Sequence, residues 1–188
     1  MHILLTGGAG FIGSHLVRAF IRHPDVKAIT VIDNLITGSL DNINEILGHE
    51  KVNFVEGDIR NFDLCRELCQ EATTVCHQAA LGSVPRSIDD PVHTNAHNID
   101  GTLNIFSAAR ETGIKRVVFA SSSSVYGDDT NLPKIEDRVG KPLSPYAITK
   151  KVNELYAENF GRLYDMEFIG LRYFNIFGPR QSPGGPYA

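Results

Sequence analysis

Short apolar runs alternate along the chain with longer amphipathic segments, and this alternation predicts parallel strands joined by helices. The apolar runs predict strands over residues 2–6, 28–33, 53–57, 74–78, 116–121 and 167–172. Helical periodicity predicts helices over residues 11–22, 40–47, 62–70, 92–112 and 145–164. A right-handed path through these elements leads to an α/β fold with a doubly wound parallel sheet of strand order 3-2-1-4-5-6.

Two segments fall outside this alternation. A long connection between the fifth and sixth strands holds Pro133, Gly140, Pro142 and Pro145, and connections of that length are usually functional. After the sixth strand, residues 178–186 have loop composition and the chain ends two residues later. We interpret this ending as a chain that is cut off.

Composition indicates one globular domain, since 42% of the 188 residues are hydrophobic and 21% are charged. A net charge of -4 argues against a nucleic-acid partner, which needs clustered Lys and Arg. There is no apolar run of about 18 residues and no basic start before an apolar segment, so we expect no membrane span, no secretion signal and a cytoplasmic location.

The cysteines and two of the histidines have spacings that a metal site could use, but neither set has the remaining ligands. Cys65, Cys69 and Cys76 are odd in number and lack a paired CxxC motif. His93 and His97 are four residues apart without a nearby third ligand. We expect free buried thiols, histidines that serve packing or the helix surface, and no metal.

A glycine-rich segment, TGGAGFIG over residues 6–13, follows the first predicted strand and opens the first helix. Gly7 permits a tight turn, Gly10 lets the backbone approach a pyrophosphate, and Gly13 lets the helix pack close to the sheet. This strand, turn and helix context predicts a Rossmann dinucleotide-binding domain.

Asp33 ends the second predicted strand, about 20 residues after the last glycine, where a carboxylate accepts hydrogen bonds from the adenosine ribose. The carboxylate would repel a 2'-phosphate, and no arginine follows it in the next five residues. We therefore expect NAD in preference to NADP.

Two other strand ends carry side chains that suit a cofactor. Asp58 follows the third strand, and Gln78, Ala79 and Ala80 follow His77 at the end of the fourth. Asp58 suits the amino group of adenine, and it equally suits a turn cap. The residues leave both interpretations of Asp58 open.

Tyr146 and Lys150 form a Tyr-x-x-x-Lys pair, which places both side chains on one face of the last predicted helix. An ammonium four residues away and the positive nicotinamide would stabilise a phenolate, which makes Tyr146 a candidate acid/base. Ser121, Ser122 and Ser123 end the fifth strand, where this topology places ligands. A Tyr-x-x-x-Lys pair alone is common in helices. The serines at the neighbouring strand end are what make a catalytic site the preferred interpretation.

The segments TGGAGFIG, VIDN, GDIR, HQAA, NIDGT, SSSSVYG, SPYAITK and LRYFNIFGPR occur in this order over nearly the whole chain. Together they resemble the extended short-chain dehydrogenases/reductases, and most closely the UDP-glucose and UDP-N-acetylglucosamine 4-epimerases. The segments HQAALGSVPRS and KPLSPYAITKKVNELYA are similar to the subgroup that acts on N-acetylated UDP-hexosamines. The resemblance implies an NAD-dependent UDP-sugar 4-epimerase, and we expect a homodimer.

The resemblance also implies roles for individual residues. Tyr146 would take the proton of the sugar 4-hydroxyl while hydride passes from C4 to NAD, Lys150 would bind the nicotinamide ribose and lower the pKa of Tyr146, and Ser122 or Ser123 would steady the reacting oxygen. The implied NAD contacts are Gly7, Gly10, Phe11, Ile12, Gly13, Asp33, Asn34, Asp58, Ile59, Gln78, Ala79, Ala80, Asn98, Tyr146 and Lys150. The implied sugar-nucleotide contacts are Ser83, Ser122, Ser123, Tyr146 and Asn175, while Arg86 and Arg180 would meet phosphate or pair with surface carboxylates.

Two alternatives stay open at this point. Sugar-nucleotide 4,6-dehydratases and UDP-glucuronate decarboxylases share this cofactor machinery, but they usually carry an acidic residue in the motif that reads Ser122, Ser123 and Ser124 here. The other alternative is a catalytically silent NAD-binding module. Epimerases of this kind are about twice the size of one Rossmann domain. We therefore expect residues 1–188 to form the NAD-binding domain, with 174–188 leading towards a substrate domain that the sequence lacks.

Overall fold

A six-stranded sheet of order β3-β2-β1-β4-β5-β6 lies at the centre of the computed structural model, which describes residues 1–182. Every pair of neighbouring strands runs parallel. The strands are β1 His2–Thr6, β2 Ala28–Asp33, β3 Val52–Glu56, β4 Thr74–His77, β5 Arg116–Ser122 and β6 Glu167–Tyr173. The predicted Rossmann sheet is confirmed, and each predicted strand end lies within one residue of the observed one.

Helices cover both faces of the sheet, which explains why the strands are apolar almost throughout. They are α1 Phe11–Arg22, α2 Phe62–Gln70, α3 Val84–Asp89, α4 Pro91–Asn95, α5 Gly101–Glu111 and α6 Pro145–Tyr164. Side chains alternate along β1, so Ile3 and Leu5 pack with Val17 of α1 on one face. Leu4 packs into the core that holds Phe106 of α5 and Phe160 of α6 on the other face.

The predicted helix over 40–47 is wrong. The structure has two separate 3-10 turns there, Leu40–Asn42 and Asn44–Ile46, divided at Ile43, where the backbone has φ -130°. Ile43 is 1% exposed and Ile46 packs against the core, whereas Leu40 is 37% exposed. A continuous helix does not form because the backbone of Ile43 lies outside the helical region, so the two side chains reach the core from separate turns.

The predicted helix over 92–112 is interrupted. It consists of α4, a π turn over Ala96–Asp100 and α5. The π turn widens the helix around Asn98. The side chain of Asn98 forms hydrogen bonds with Leu81 and Thr149, which lie outside this helix. Residues 84–89 fall outside the predicted elements, yet they form α3. Ser83 caps this helix by accepting a hydrogen bond from Arg86 N.

The expected free, buried thiols are confirmed, and the rings of His93 and His97 pack against each other. All three cysteines are free and buried, and burial raises the pKa of Cys65 to about 12, so that thiol stays protonated. His97 donates from Nδ1 to the carbonyl of His93 at 3.0 Å. Among residues 1–182 no cluster of His, Cys, Asp and Glu could hold a metal ion. None of the described helices has the length and apolarity needed to cross a bilayer.

Candidate active site

A cavity of about 580 Å³ lies where the carboxyl ends of the strands converge. Its wall is built by the loops after β1, β2, β3, β4, β5 and β6 together with the start of α6. Segments far apart in sequence therefore meet in it, as represented by Gly7, Asp33, Gln78, Ser122, Tyr146 and Asn175. This is the place where doubly wound sheets bind ligands.

The glycine turn between β1 and α1 has a steric need for glycine at two positions. Gly7 has φ 73°, and a Cβ there would lie 2.7 Å from the backbone nitrogen of Ala79. At Gly13 a Cβ would lie 2.1 Å from the carbonyl oxygen of Gly7, so this glycine lets α1 pack against its own turn, whereas the sequence analysis assigned it to packing on the sheet. Among the described residues no side chain caps α1 and none in its first turn is acidic, which leaves its first N–H groups available for an anion.

Asp33 is held in one orientation beside this turn. Its Oδ2 accepts a hydrogen bond from Ala9 N and its Oδ1 accepts one from Leu35 N, both at 2.9 Å. Burial raises the pKa of Asp33, while the N–H groups of Leu35, Ala9 and Gly10 oppose that rise. A carboxylate has about four lone-pair sites, so acceptor capacity is left at the cavity wall for a further donor.

Asp58 caps a turn, which is one of the two interpretations that the sequence left open. Oδ1 accepts from the backbone nitrogen of Arg60 at 2.8 Å, and the guanidinium of Arg60 pairs with both oxygens. Oδ2 also accepts from Asn34 Nδ2 at 3.0 Å. These partners hold the pKa of Asp58 well below its usual range although partial burial acts in the other direction. A contact of Asp58 with adenine stays a prediction.

Tyr146 and Lys150 lie on one face of α6, at the wall of the cavity. The ammonium of Lys150 lies 5.9 Å from the ring centroid of Tyr146 and donates to the carbonyl of Ala120 at 2.8 Å. Lys150 is 3% exposed, and burial lowers its pKa to about 8. The backbone of Tyr146 is held by Ser87, whose Oγ accepts from Tyr146 N at 3.0 Å. The structure thus places a positive charge near the candidate acid/base.

The serine run after β5 divides into different roles. Ser122 and Ser123 line the cavity, and Ser122 also caps the following 3-10 turn, Ser123–Tyr126. Ser121, which also lines the cavity, donates to Glu154, and Glu154 receives a bidentate pair from Arg172 at 2.9 and 3.0 Å. Sequence reasoning missed this network. Glu154 lies four residues after Lys150 on the same helical stripe, and that spacing is the signal that could have found it.

Some of the remaining predicted site residues line the cavity and others do not. Asn175 and Ser83 line the cavity. Asn98 is fully buried behind the wall, where its amide bonds to Leu81 and Thr149, so its contact with NAD stays a prediction. Arg86 is exposed on α3. Arg180 contacts Ser14 and His15 of α1, and its contact with phosphate stays a prediction.

The cavity wall includes most of the predicted cofactor contacts and adds residues that the sequence analysis left out. The predicted lining residues are Gly7, Gly10, Phe11, Ile12, Gly13, Asp33, Asn34, Ile59, Gln78, Ala79, Ala80, Tyr146 and Lys150. The added ones include His97, Tyr173, Phe174, Ile176 and Gln181. The segment after β6 therefore helps to close the cavity as far as it is described. Residues 183–188 of the expected lead to a substrate domain lie outside the described residues.

Comparison with known proteins gives consistent results. The model of the NAD dependent epimerase/dehydratase family matches residues 3–187. A putative UDP-glucose 4-epimerase of Methanocaldococcus jannaschii is 43% identical over 97% of the chain, which spans 58% of that relative. The solved UDP-N-acetylglucosamine 4-epimerase of Methanobrevibacter ruminantium, in complex with UDP-N-acetylmuramic acid, superposes with a TM-score of 0.93 and 42% identity over 100% of the chain and 59% of its own length.

A relative with a different reaction is also similar. A dTDP-glucose 4,6-dehydratase of Streptomyces venezuelae, solved as a double mutant with NAD and DAU bound, has a TM-score of 0.93 and 33% identity over 99% of the chain and 59% of its own length. The chain therefore spans about three fifths of the proteins that it matches, whether epimerase or dehydratase.

Proposed function

Because the chain belongs to the NAD-dependent epimerase/dehydratase family, we propose that it is the cofactor-binding and catalytic part of a UDP-sugar 4-epimerase of the UDP-N-acetylglucosamine/UDP-glucose type. The observation that carries the proposal is the convergence of the glycine turn, Tyr146, Lys150 and the serines after β5 in one cavity. The proposal includes a homodimer and a cytoplasmic location.

The residues present fit a dinucleotide. The uncapped first turn of α1 offers N–H groups to a pyrophosphate, and a Cβ at Gly10 would lie 3.2 Å from Gly7 O, at the point where phosphate needs room. Asp33 would accept from the adenosine ribose, and the ammonium of Lys150 would reach the nicotinamide ribose. NAD, when bound, supplies a site that accepts hydride from C4 of the sugar and returns it to the other face.

The chain's own residues would handle the proton of this reaction. The phenolate of Tyr146 takes the proton of the sugar 4-hydroxyl as C4 is oxidised, and the resulting phenol returns it when C4 is reduced. Lys150 stabilises the phenolate through its positive charge, and the hydroxyl of Ser122 or Ser123 donates to the 4-oxygen. The 4-keto sugar must turn over between the two steps, so its nucleotide needs a separate anchor.

The cavity favours epimerisation over dehydration. Among the described lining residues, Asp33 is the one carboxylate, and it lies at the end of β2. Glu154 is occupied by Ser121 and Arg172 and is not part of the lining. An elimination needs an acid beside the reacting sugar, in the region that the serines occupy here. The similarity to a dehydratase keeps that reaction as the alternative outcome of the test.

The test supplies NAD and UDP-N-acetylglucosamine or UDP-glucose to a form of the protein that carries a C-terminal substrate-binding part, its own or that of a relative. Formation of the C4 epimer, followed by chromatography, would support the proposal. A 4-keto-6-deoxy product would instead assign a dehydratase, and NAD binding without any product would assign a silent module.

We expect the chain to bind NAD about tenfold or more tightly than NADP, because the carboxylate of Asp33 would face the 2'-phosphate. Asp33→Asn keeps an acceptor oxygen and removes the charge, so it should reduce the difference between the NAD and NADP affinities. Asp33→Ala should reduce this difference as well. Calorimetric titration of both dinucleotides measures the ratio. Equal affinities in the unaltered chain would refute the role given to Asp33.

Replacing Lys150 with Met should weaken NAD binding but leave the free energy of unfolding at pH 7 unchanged or higher. The folded state disfavours the buried ammonium, since burial lowers the pKa of Lys150 from 10.5 to about 8. This penalty is fully present below about pH 8 and disappears as the pH rises towards 10.5, where the unfolded lysine also becomes neutral. The stability advantage of the Met variant should therefore shrink across that interval.

Urea denaturation at about pH 7 and pH 9.5, together with NAD titration, checks both parts of the Lys150 prediction. The matched control is Lys151→Met, which removes the neighbouring and less buried ammonium and should leave NAD affinity unchanged. Unaltered NAD affinity in Lys150→Met would contradict the proposed role. A stability difference that does not change with pH would contradict the burial argument.

A further inference from the structure

The segment that follows β6 runs along the carboxyl edge of the sheet and reaches α1. β6 is the last strand of the sheet, and β5 and β4 lie between it and β1. Neighbouring strands are about 4.8 Å apart, so the segment covers roughly 14 Å on this path. Asn175, Ile176 and Gln181 line the cavity along the way. We call residues 174–181 the strap, because they close one side of the cavity from one end of the sheet to its middle.

The end of the strap is fastened to α1 by side chains on both sides. Nε2 of His15 lies 2.9 Å from the carbonyl oxygen of Pro179, and a carbonyl can only accept, so Nε2 carries the proton and donates. Nη2 of Arg180 lies 2.8 Å from Nδ1 and 3.0 Å from Nε2 of the same ring, and Nδ1 has the lone pair that can accept from it. Nε of Arg180 donates to Oγ of Ser14 at 3.1 Å. We call Ser14, His15, Pro179 and Arg180 the clasp.

The backbone of the strap is shaped for this contact. Gln181 N donates to the carbonyl of Gly178 at 3.3 Å, which closes a tight turn over residues 178–181. Arg180 has φ 67° within this turn, a conformation that residues other than glycine rarely adopt. A disfavoured backbone conformation persists only where surrounding contacts maintain it. The contacts of Arg180 with Ser14 and His15 supply that support.

The clasp lies beside the cofactor cavity but outside it. His15 is one helical turn after Phe11, and the two rings pack edge to face with their centroids 5.7 Å apart. Phe11 lines the cavity at the turn of α1 whose N–H groups would receive a pyrophosphate, whereas no clasp residue is among the described lining residues. The clasp therefore holds the strap in place without taking up space that the dinucleotide would need.

We propose that the strap is the gate through which the dinucleotide enters and leaves the cavity, and that His15 and Arg180 determine how often this gate opens. The inference rests on the proposed binding of NAD. His15 and Arg180 are positioning residues, since they act through the strap. Slow exchange would keep the reduced dinucleotide in place until hydride returns to the sugar.

A gate and a direct contact with the dinucleotide have different kinetic effects. A contact that holds a gate closed slows entry and exit alike, so its loss accelerates both and changes the dissociation constant little. A contact with the ligand itself acts mainly on the dissociation rate. The two rates together therefore identify which of these roles the clasp residues have.

The test measures the association and dissociation rates of NADH by stopped-flow fluorescence, with excess NAD to displace it. His15→Phe removes both nitrogens of the ring and should raise both rates about tenfold, the effect of one to two hydrogen bonds, while the dissociation constant changes by less than about threefold. Arg180→Gln should have the same effect. His15→Gln carries a donor and an acceptor and should restore most of the slow exchange. The matched control is His23→Phe at the other end of α1, which should leave both rates unchanged.

The double variant His15→Phe/Arg180→Gln tests whether the two side chains act as one unit. Because they contact each other, the combined substitution should be little faster than either single one. Multiplied effects would show two independent contacts and would overturn the single clasp.

Both rate constants describe folded molecules, so partial unfolding of a variant does not imitate the expected result. Unchanged rates in His15→Phe and Arg180→Gln would overturn the inference. Faster dissociation with an unaltered association rate would also overturn it, because it would assign these side chains to direct contact with the dinucleotide. If the unaltered chain binds no NADH, the proposed cofactor site fails and the inference with it. That result is distinguishable because it appears before any substitution is made.

Discussion

Tyr146→Phe should lower epimerisation by at least about a thousandfold while NAD stays bound, because the change removes the group that exchanges the proton of the 4-hydroxyl and little of the packing. The ring remains on α6, where the ammonium of Lys150 lies 5.9 Å from its centroid. The remaining contacts of the cavity wall stay in place. The expected result is therefore a loss of turnover with a nearly unchanged dissociation constant for NAD.

The assay uses a form that carries a C-terminal substrate-binding part, and it follows both epimer formation and NAD affinity. Tyr156→Phe is the matched control, since Tyr156 lies on the same helix and packs against the apolar core. That control should retain its activity. Substantial turnover in Tyr146→Phe would refute the proposed acid/base, and equal losses in both variants would point to damage of α6 itself.

The second large effect concerns the 188-residue chain by itself, which should bind NAD but not epimerise UDP-sugars at an appreciable rate. The glycine turn, Asp33, Tyr146 and Lys150 all line a cavity that the described residues form. We expect the nucleotide of the substrate to need an anchor besides the described residues, and the chain spans 58–59% of the length of the relatives it matches. Orientation of a reactant is worth roughly 7–11 kcal/mol of barrier, so a 4-keto sugar without an anchored nucleotide should rarely be reduced on its other face.

The chain is incubated with NAD and UDP-N-acetylglucosamine, and UDP-N-acetylgalactosamine is sought by chromatography. The control repeats the incubation after a relative's C-terminal part has been joined to the chain, and this form should turn over. Turnover by the chain alone near that of full-length relatives would show that the additional part is dispensable. It would also remove the argument that the nucleotide needs a separate anchor.

The sequence by itself determined the strand order and the strand ends that carry chemistry. Strands β1, β2 and β4 are buried on both faces almost throughout, so each is a nearly continuous apolar run that is visible without tertiary information. The steric need for glycine arises within one short turn. For example, a Cβ at Gly13 would collide with the carbonyl oxygen of Gly7. Tyr146 and Lys150 share a helix face because four residues make about one turn. All of these features are local, and local patterns can be predicted from the sequence.

The tertiary structure decided where distant polar groups meet. Asn98 lies behind the cavity because its amide reaches Thr149, 51 residues away. Asp58 accepts a hydrogen bond from Asn34, 24 residues away, which joins the loops after β2 and β3. Periodicity reports which face of an element is apolar, but it carries no information about which polar side chain will be opposite another after folding. That pairing depends on the packing of whole elements, and so it appears only in the folded chain.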